Sequence, residues 1–184
     1  MRKSILGRIT ITSFTMLSGL KYWIPAICVA ILISLFSTHY FSGEETARLI
    51  IPLLHWLFPA ATPRMLRLMH VGIRKMAHIT EFGLFSITVF HGIRAGRSGW
   101  RIRWALATLM IAVTYAGLDE WHQSFVPVRQ ASARDVAIDA LGAVLAQVLV
   151  LACANWRRAF TAPPSLPAGT STEKRSGSAL ELRE

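Results

Sequence analysis

Arg94-Ala95-Gly96-Arg97-Ser98-Gly99-Trp100-Arg101-Ile102-Arg103 sets four arginines and no acid between two apolar runs. A connection this short makes the two runs antiparallel neighbours, and its charge keeps it out of hydrocarbon. Short loops rich in Lys and Arg mark the cytoplasmic side of a membrane, so the stretch reads as an inner loop between two spans. The composition agrees. Of 184 residues, 53% are hydrophobic and only 16% charged, where a soluble domain carries roughly 25% charge. Mean hydropathy is +0.42 and the pI about 10.8. A nucleic-acid binder with such a pI gets it from a charge-rich surface, which this chain lacks.

Working outward from the arginine loop, four apolar spans are expected. The first covers residues 22–40, after a basic segment (1–21) with Arg2, Lys3, Arg8 and Lys21. A cleaved signal peptide is the rival reading, opposed by the late start of this run and the lack of a small-x-small site after it. Residues 49–60, broken by Pro52 and Pro59, are too short to span and read as an interfacial or re-entrant segment. Thr62-Pro63 then starts a helix as N-cap and first residue, leading into a second span at 75–93. The third span is expected at 102–118 and the fourth at 135–155, with a polar loop between them. Residues 156–184, rich in Pro and small polar residues, read as a disordered cytoplasmic tail.

These assignments give an all-α integral membrane bundle of about four transmembrane helices, residues 22–155, with both termini cytoplasmic. The inner segments carry the whole +10 net charge, while residues 41–81 and 119–139 hold seven bases and seven acids. Tryptophans 23, 100, 104, 121 and 156 fall at span ends, as an aromatic belt requires, and Trp56 falls in the interfacial segment. Cys28 and Cys153 read as small apolar packing residues, not a disulfide or zinc site.

The balanced charges mark the candidate site, because an ionisable residue in a span is costly and points to function with a partner. Lys75, His78 and Glu81, spaced by three, open the second span. Asp119, Glu120, His122 and Gln123 close the third, and Arg129, Arg134, Asp135 and Asp139 lead into the fourth. All lie near the outer leaflet and are expected to converge on one pocket. Asp139, a turn deeper than Asp135, needs a compensating cation, for which Arg129, Arg134 and Lys75 are the candidates. Gly142 and Ala146 form a small-xxx-small pattern that admits a second helix.

Three readings of this cluster stand side by side. It is a ligand pocket, in which Arg129, Arg134 and Lys75 hold an anionic headgroup while Trp121 and Phe125 cover an apolar or sugar moiety. It is an intramembrane acid–base site using Asp119, Glu120 or Asp135 with His78 or His122. Or it is a purely structural polar network. No metal site is assigned: His78, Glu81, His122 and Asp119 have ligand chemistry, but the neighbouring cations oppose a metal. No cofactor fingerprint, P-loop or nucleophile elbow is present. Transport is disfavoured by four spans without inverted repeats.

Two blocks, Arg74-Lys75-x-x-His78-x-x-Glu81-Phe82 and Asp119-Glu120-x-His122-Gln123-x-Phe125-Val126-Pro127-x-Arg129, the second continuing through Ser132, Arg134-Asp135, Asp139 and Gly142, resemble the VanZ-like family of bacterial membrane proteins. Phe82, Val128, Ala131 and Ala146 depart from its usual pattern. The resemblance implies a multi-pass protein of the bacterial plasma membrane, with membrane lipids as partners. It also implies a link to teicoplanin resistance, and a lipid-linked cell-wall precursor or a glycopeptide as a ligand class. Nucleic acid is not expected as a partner, and self-association is open.

Overall fold

The computed structural model describes residues 19–125 and 132–161. Among these the chain is all-helical, with five α-helices and no strand. The basic segment ahead of residue 19, the Val126–Ala131 part of the polar loop with Arg129, and the tail beyond 161 lie outside the described residues.

Helix α1 (Ile24–Phe36) is 13 residues long and has Pro25 in its first turn, followed by a 3-10 turn at His39–Phe41. At 1.5 Å per residue α1 reaches about 20 Å, so the first expected span is shorter than the roughly 30 Å hydrocarbon thickness. Helix α2 (Gly43–Leu57) covers most of the segment read as interfacial. Ser42 caps it by accepting from Glu45 N–H at 3.3 Å, and Glu44 and Glu45 complement the helix dipole. Pro52 sits inside α2 instead of ending it.

Helix α3 (Pro63–Arg94) starts where expected: Thr62 accepts from Met65 N–H, and Pro63 is the first helical residue. It ends in Ala95 and Gly96, both at positive φ. Helix α4 (Ile102–Gln123) runs five residues past the expected end, so that Asp119, Glu120, His122 and Gln123 are helical. Helix α5 (Ala133–Thr161) begins two residues early and takes six residues from the region read as tail. Helix α4 and residues Ala133–Phe160 of α5 are long and apolar enough to cross a membrane. Helix α3 is long enough, but its first half carries Arg64, Arg67, Arg74 and Lys75.

The core joins α1, α3, α4 and α5 through Ile33, Phe82, Phe85, Val89, Ala112, Ala116 and Ala143. Small residues set the helix spacing. A Cβ on Gly142 would run into the Ile79 carbonyl, and one on Gly83 would lie 3.4 Å from the Gly142 carbonyl. The expected small-xxx-small face therefore packs on α3. Beside it Ser86 donates to the Ala143 carbonyl at 3.1 Å, and the Gln147 amide donates to Ser86 Oγ at 2.9 Å. Tyr115 ties α4 to α1 by donating to the Ala30 carbonyl at 2.8 Å.

Outward faces are apolar on every core helix, for example Ile27 and Ile31, Leu84 and Ile87, Leu106 and Met110, Leu145 and Leu149. Cys28 and Cys153 are free thiols on these exposed faces, so they are not packing residues. Trp56, Trp121 and Trp156 face outward, as a belt requires, but Trp104 is buried. Trp23 lies on Gly92, where an added Cβ would meet its ring at 2.8 Å.

Candidate functional site

Three buried stripes carry polar side chains to one end of the bundle. On α4 the stripe Ala105, Thr108, Ala112, Ala116 continues at helical spacing into Asp119 and Gln123, so both turn inward. Trp121 and His122 fall off that stripe and are exposed. On α5 the stripe Gln147, Ala146, Ala143, Gly142 leads back to Asp139, which is 2% exposed. On α3 residues Leu66, His70, Arg74, His78 and Phe82 repeat every four positions along the packed face.

Two hydrogen-bonded groups result. Ser37, at the end of α1, donates to Asp119 Oδ2 at 2.7 Å. Gln123 Nε2 donates to the same oxygen at 2.6 Å and to Ser37 Oγ at 3.1 Å. In the second group His78 Nδ1 lies 3.0 Å from Asp139 Oδ1. The partner that Asp139 needed is thus an imidazole, not one of the three cations the sequence suggested. Glu120 accepts the backbone N–H of Ser132 and so ties the end of α4 to the start of α5.

Between these groups and α2 is a cavity of about 260 Å³. Its polar wall is Ser37, Arg74, His78, Glu81 and Asp119, and its apolar wall is Phe36, Phe41, Ile50, Ile73 and Ala77. Arg74 Nη1 donates to the Phe41 carbonyl at 3.1 Å and to Thr46 Oγ1 at 3.3 Å, which holds α2 against α3. The same threonine meets His70 Nε2 at 3.2 Å. Burial first, then the Arg74 charge, hold His70 below the usual imidazole range.

The expected site residues are therefore only partly brought together. His78, Glu81 and Asp119 line the cavity, and Gln123 and Asp139 support it from behind. Lys75 and Arg134 are exposed and line no part of it, Asp135 is half-buried in the first turn of α5, and Arg129 lies outside the described residues. His122 lines a separate cavity of about 210 Å³ with Ser34 and Tyr115, reaching Asp119 from its other side. Trp121 and Phe125 stack edge to face on the exterior, ring centroids 5.4 Å apart. Among the described residues no three His, Cys, Asp or Glu side chains are arranged to hold a metal ion.

Ser37, Thr46, His70 and the cavity role of Arg74 were missing from the sequence-derived set. A signal existed for two of them: spacing by four, His70-Arg74-His78, follows the packed face of α3. The spacing by three used for Lys75, His78 and Glu81 drifts off it. Ser37 and Thr46 had none, since a lone hydroxyl in an apolar segment is ordinary.

The sequence model of the VanZ/LLP1 family matches residues 14–154. The chain belongs to the VanZ/LLP1 family. The matched region takes in all five helices except the last turns of α5, and so includes every residue of the cavity. No curated protein and no solved structure matches the chain.

In this VanZ-like chain the site offers carboxylates at Asp119 and Glu81, an imidazole oriented by a buried carboxylate, and one guanidinium at Arg74. It faces these across an apolar wall. Such a cavity suits a ligand with a polar hydroxyl- or amine-bearing part and an apolar part.

Proposed function

We propose that the protein is a four-span component of the bacterial plasma membrane, with termini and arginine loop cytoplasmic. On this reading the cavity of His78, Glu81 and Asp119 binds the polar part of a lipid-linked cell-wall component at the outer leaflet. The apolar outward faces support the membrane reading, since soluble monomers rarely expose contiguous apolar surface of this extent. In that frame α1, short by itself, crosses a locally thinned region or continues into its flanking residues, and α2 lies at the interface with Leu49, Leu53 and Trp56 toward lipid. Binding is supported by one observation above the others: the cavity has a polar and an apolar wall, and Ser37, Arg74, His78 and Asp119 of the polar wall are held in place by hydrogen bonds within the protein. Teicoplanin resistance is the phenotype this reading would produce, by sequestering or masking the component that the glycopeptide meets.

A second reading, acid–base catalysis on the same component, rests on His78. With Nδ1 engaged by Asp139, the ring is oriented by a carboxylate, which leaves its other nitrogen to meet a ligand proton.

Lipids that co-purify with the protein test both readings. The wild type is expected to retain a lipid-linked species that Asp119→Asn and Arg74→Gln lose at least about tenfold, each substitution removing a charge-assisted contact. Equal retention in all three would remove the binding reading. If His78→Gln retains the ligand yet gives a deletion phenotype in cells, catalysis is favoured; a wild-type phenotype in that variant sinks it.

A further inference from the structure

The opposite end of the bundle carries a second, larger cavity that the first site does not use. From His78 to Arg94 α3 rises about 24 Å. There the arginine loop and the last turns of α5 enclose about 940 Å³, with Arg94, Trp100, Arg101 and Arg158 among its polar lining. No Asp or Glu occurs between residues 82 and 118 or between 140 and 172, so these helices and their loop supply no carboxylate to balance the arginines.

The loop is built, not merely charged. Arg97 caps the end of α3 by donating to the carbonyls of Ile93 at 2.6 Å and Arg94 at 2.8 Å. Arg97 and Arg101 both lie 4.9 Å from the ring centre of the buried Trp104, which fixes them by cation–π contact. Gly96 at φ +78° admits Tyr22, whose hydroxyl an added Cβ would meet at 2.6 Å. Two donors are left over. Arg94 Nε and Trp100 Nε1 are buried and have no hydrogen-bond partner among the described residues. A buried donor without an acceptor bears the full cost of its lost hydration, the more so when charged.

We propose that this cavity binds a phosphate-bearing anion whose oxygens accept from Arg94 Nε–H and Trp100 Nε1–H, and that the anion is the headgroup of a phospholipid in the leaflet facing the loop. Phosphate oxygens supply the missing acceptors and charge together, and guanidinium matches them in geometry. The lipid source follows from the other wall. Ile87, Phe90, Leu149 and Val150 run from the arginines toward the middle of the bundle, and Ile87 and Leu149 are exposed. A free phosphate has no use for that wall, whereas an acyl chain lies along it. The site rests on the membrane reading above but not on the cavity at the other end.

The test is native mass spectrometry on protein drawn from phosphatidylcholine nanodiscs doped with phosphatidylglycerol. Arg94→Lys keeps the charge but loses Nε–H, Trp100→Phe keeps the ring but loses its N–H, and Arg103→Lys alters an arginine outside the cavity. Retained phosphatidylglycerol is expected to fall about tenfold in the first two and to stay at the wild-type level in the third, with unchanged melting temperatures in detergent as the folding control. Equal retention in all three, or an equal loss in Arg103→Lys, would reduce the effect to general attraction and overturn the site. Displacement of the lipid by equimolar inorganic phosphate would make the ligand a free anion and overturn the lipid assignment. Side-specific thiol labelling of Ser98→Cys reads the orientation separately, so a wrong topology is distinguishable from an empty site.

Discussion

His78 Nδ1 and Asp139 Oδ1 lie 3.0 Å apart, joining α3 to α5 across 61 positions of sequence, with the Asp139 side chain 3% exposed. In so enclosed a place each group is the other's principal compensation, and removal of one leaves the other buried without it. A double-mutant cycle with His78→Ala and Asp139→Ala, read by thermal unfolding in detergent, is expected to give a coupling of about 1–3 kcal/mol. Additive losses would mean that the contact contributes nothing.

Gly142 lies against the Ile79 backbone, where an added Cβ has no flexible neighbour to displace. Gly142→Ala should therefore separate α3 from α5 and cost about 1–3 kcal/mol. Gly83→Ala, whose Cβ would find its nearest atom at 3.4 Å, should cost clearly less. Melting temperatures of the two variants decide the order, and a reversed order contradicts the packing described.

His70 lies in the first half of α3, ahead of the span the sequence leads one to expect at residues 75–93, and is held below its ordinary value of 6.5, by burial first and Arg74 second. Because the folded value is the lower one, the unfolded chain takes up the proton first as the pH falls. Stability is thus complete above 6.5 and declines as the pH drops through 6.5 toward the folded value. Melting curves from about pH 7.5 to about 5.5 should show this decline, and His70→Gln should be flatter over the same window. Identical slopes would show that other groups govern it.

Ser37 donates to Asp119 and accepts from Gln123, all three buried. Ser37→Ala should cost about 1–2 kcal/mol and lower ligand retention as well, since it frees the carboxylate that the cavity presents. Chemical denaturation in micelles checks the first, and co-purifying lipid the second. Unchanged retention would place Asp119 in a structural role alone.

Orientation is open to a direct test. With Cys28 and Cys153 replaced by Ala, a membrane-impermeant thiol reagent on intact cells should label Ala61→Cys, between α2 and α3, and spare Ser98→Cys in the arginine loop. The opposite pattern would invert the topology and move both cavities to the other leaflet.

Much of the helical layout was legible in the sequence, because local chemistry decides it. Thr62-Pro63 starts α3 through a side-chain cap and a preset φ, and the Arg94–Arg103 loop separates α3 from α4 by charge and glycine. Helix ends that depend on tertiary support were read short. Helix α4 extends through Asp119 to Gln123 because Ser37 and the start of α5 satisfy those polar side chains, and no local pattern announces such partners.

The same division runs through the candidate site. The sequence alone determined that Asp119, His78, Glu81 and Asp139 sit at one end of an apolar bundle and the arginine loop of Arg94, Arg97, Arg101 and Arg103 at the other, since charge is too costly to place midway along an apolar helix. Only the tertiary structure decided which cation belongs. Lys75 and Arg74 are adjacent in sequence and alike in charge, but the stripe that buries His70 and His78 turns Arg74 into the cavity and Lys75 away from it. It also decided that Asp139 pairs with His78, and that Arg94 and Trp100 are left with buried donors. The His78–Asp139 pairing joins segments 61 positions apart, which no local pattern encodes, and the close packing of Gly142 on Ile79 brings their helices together.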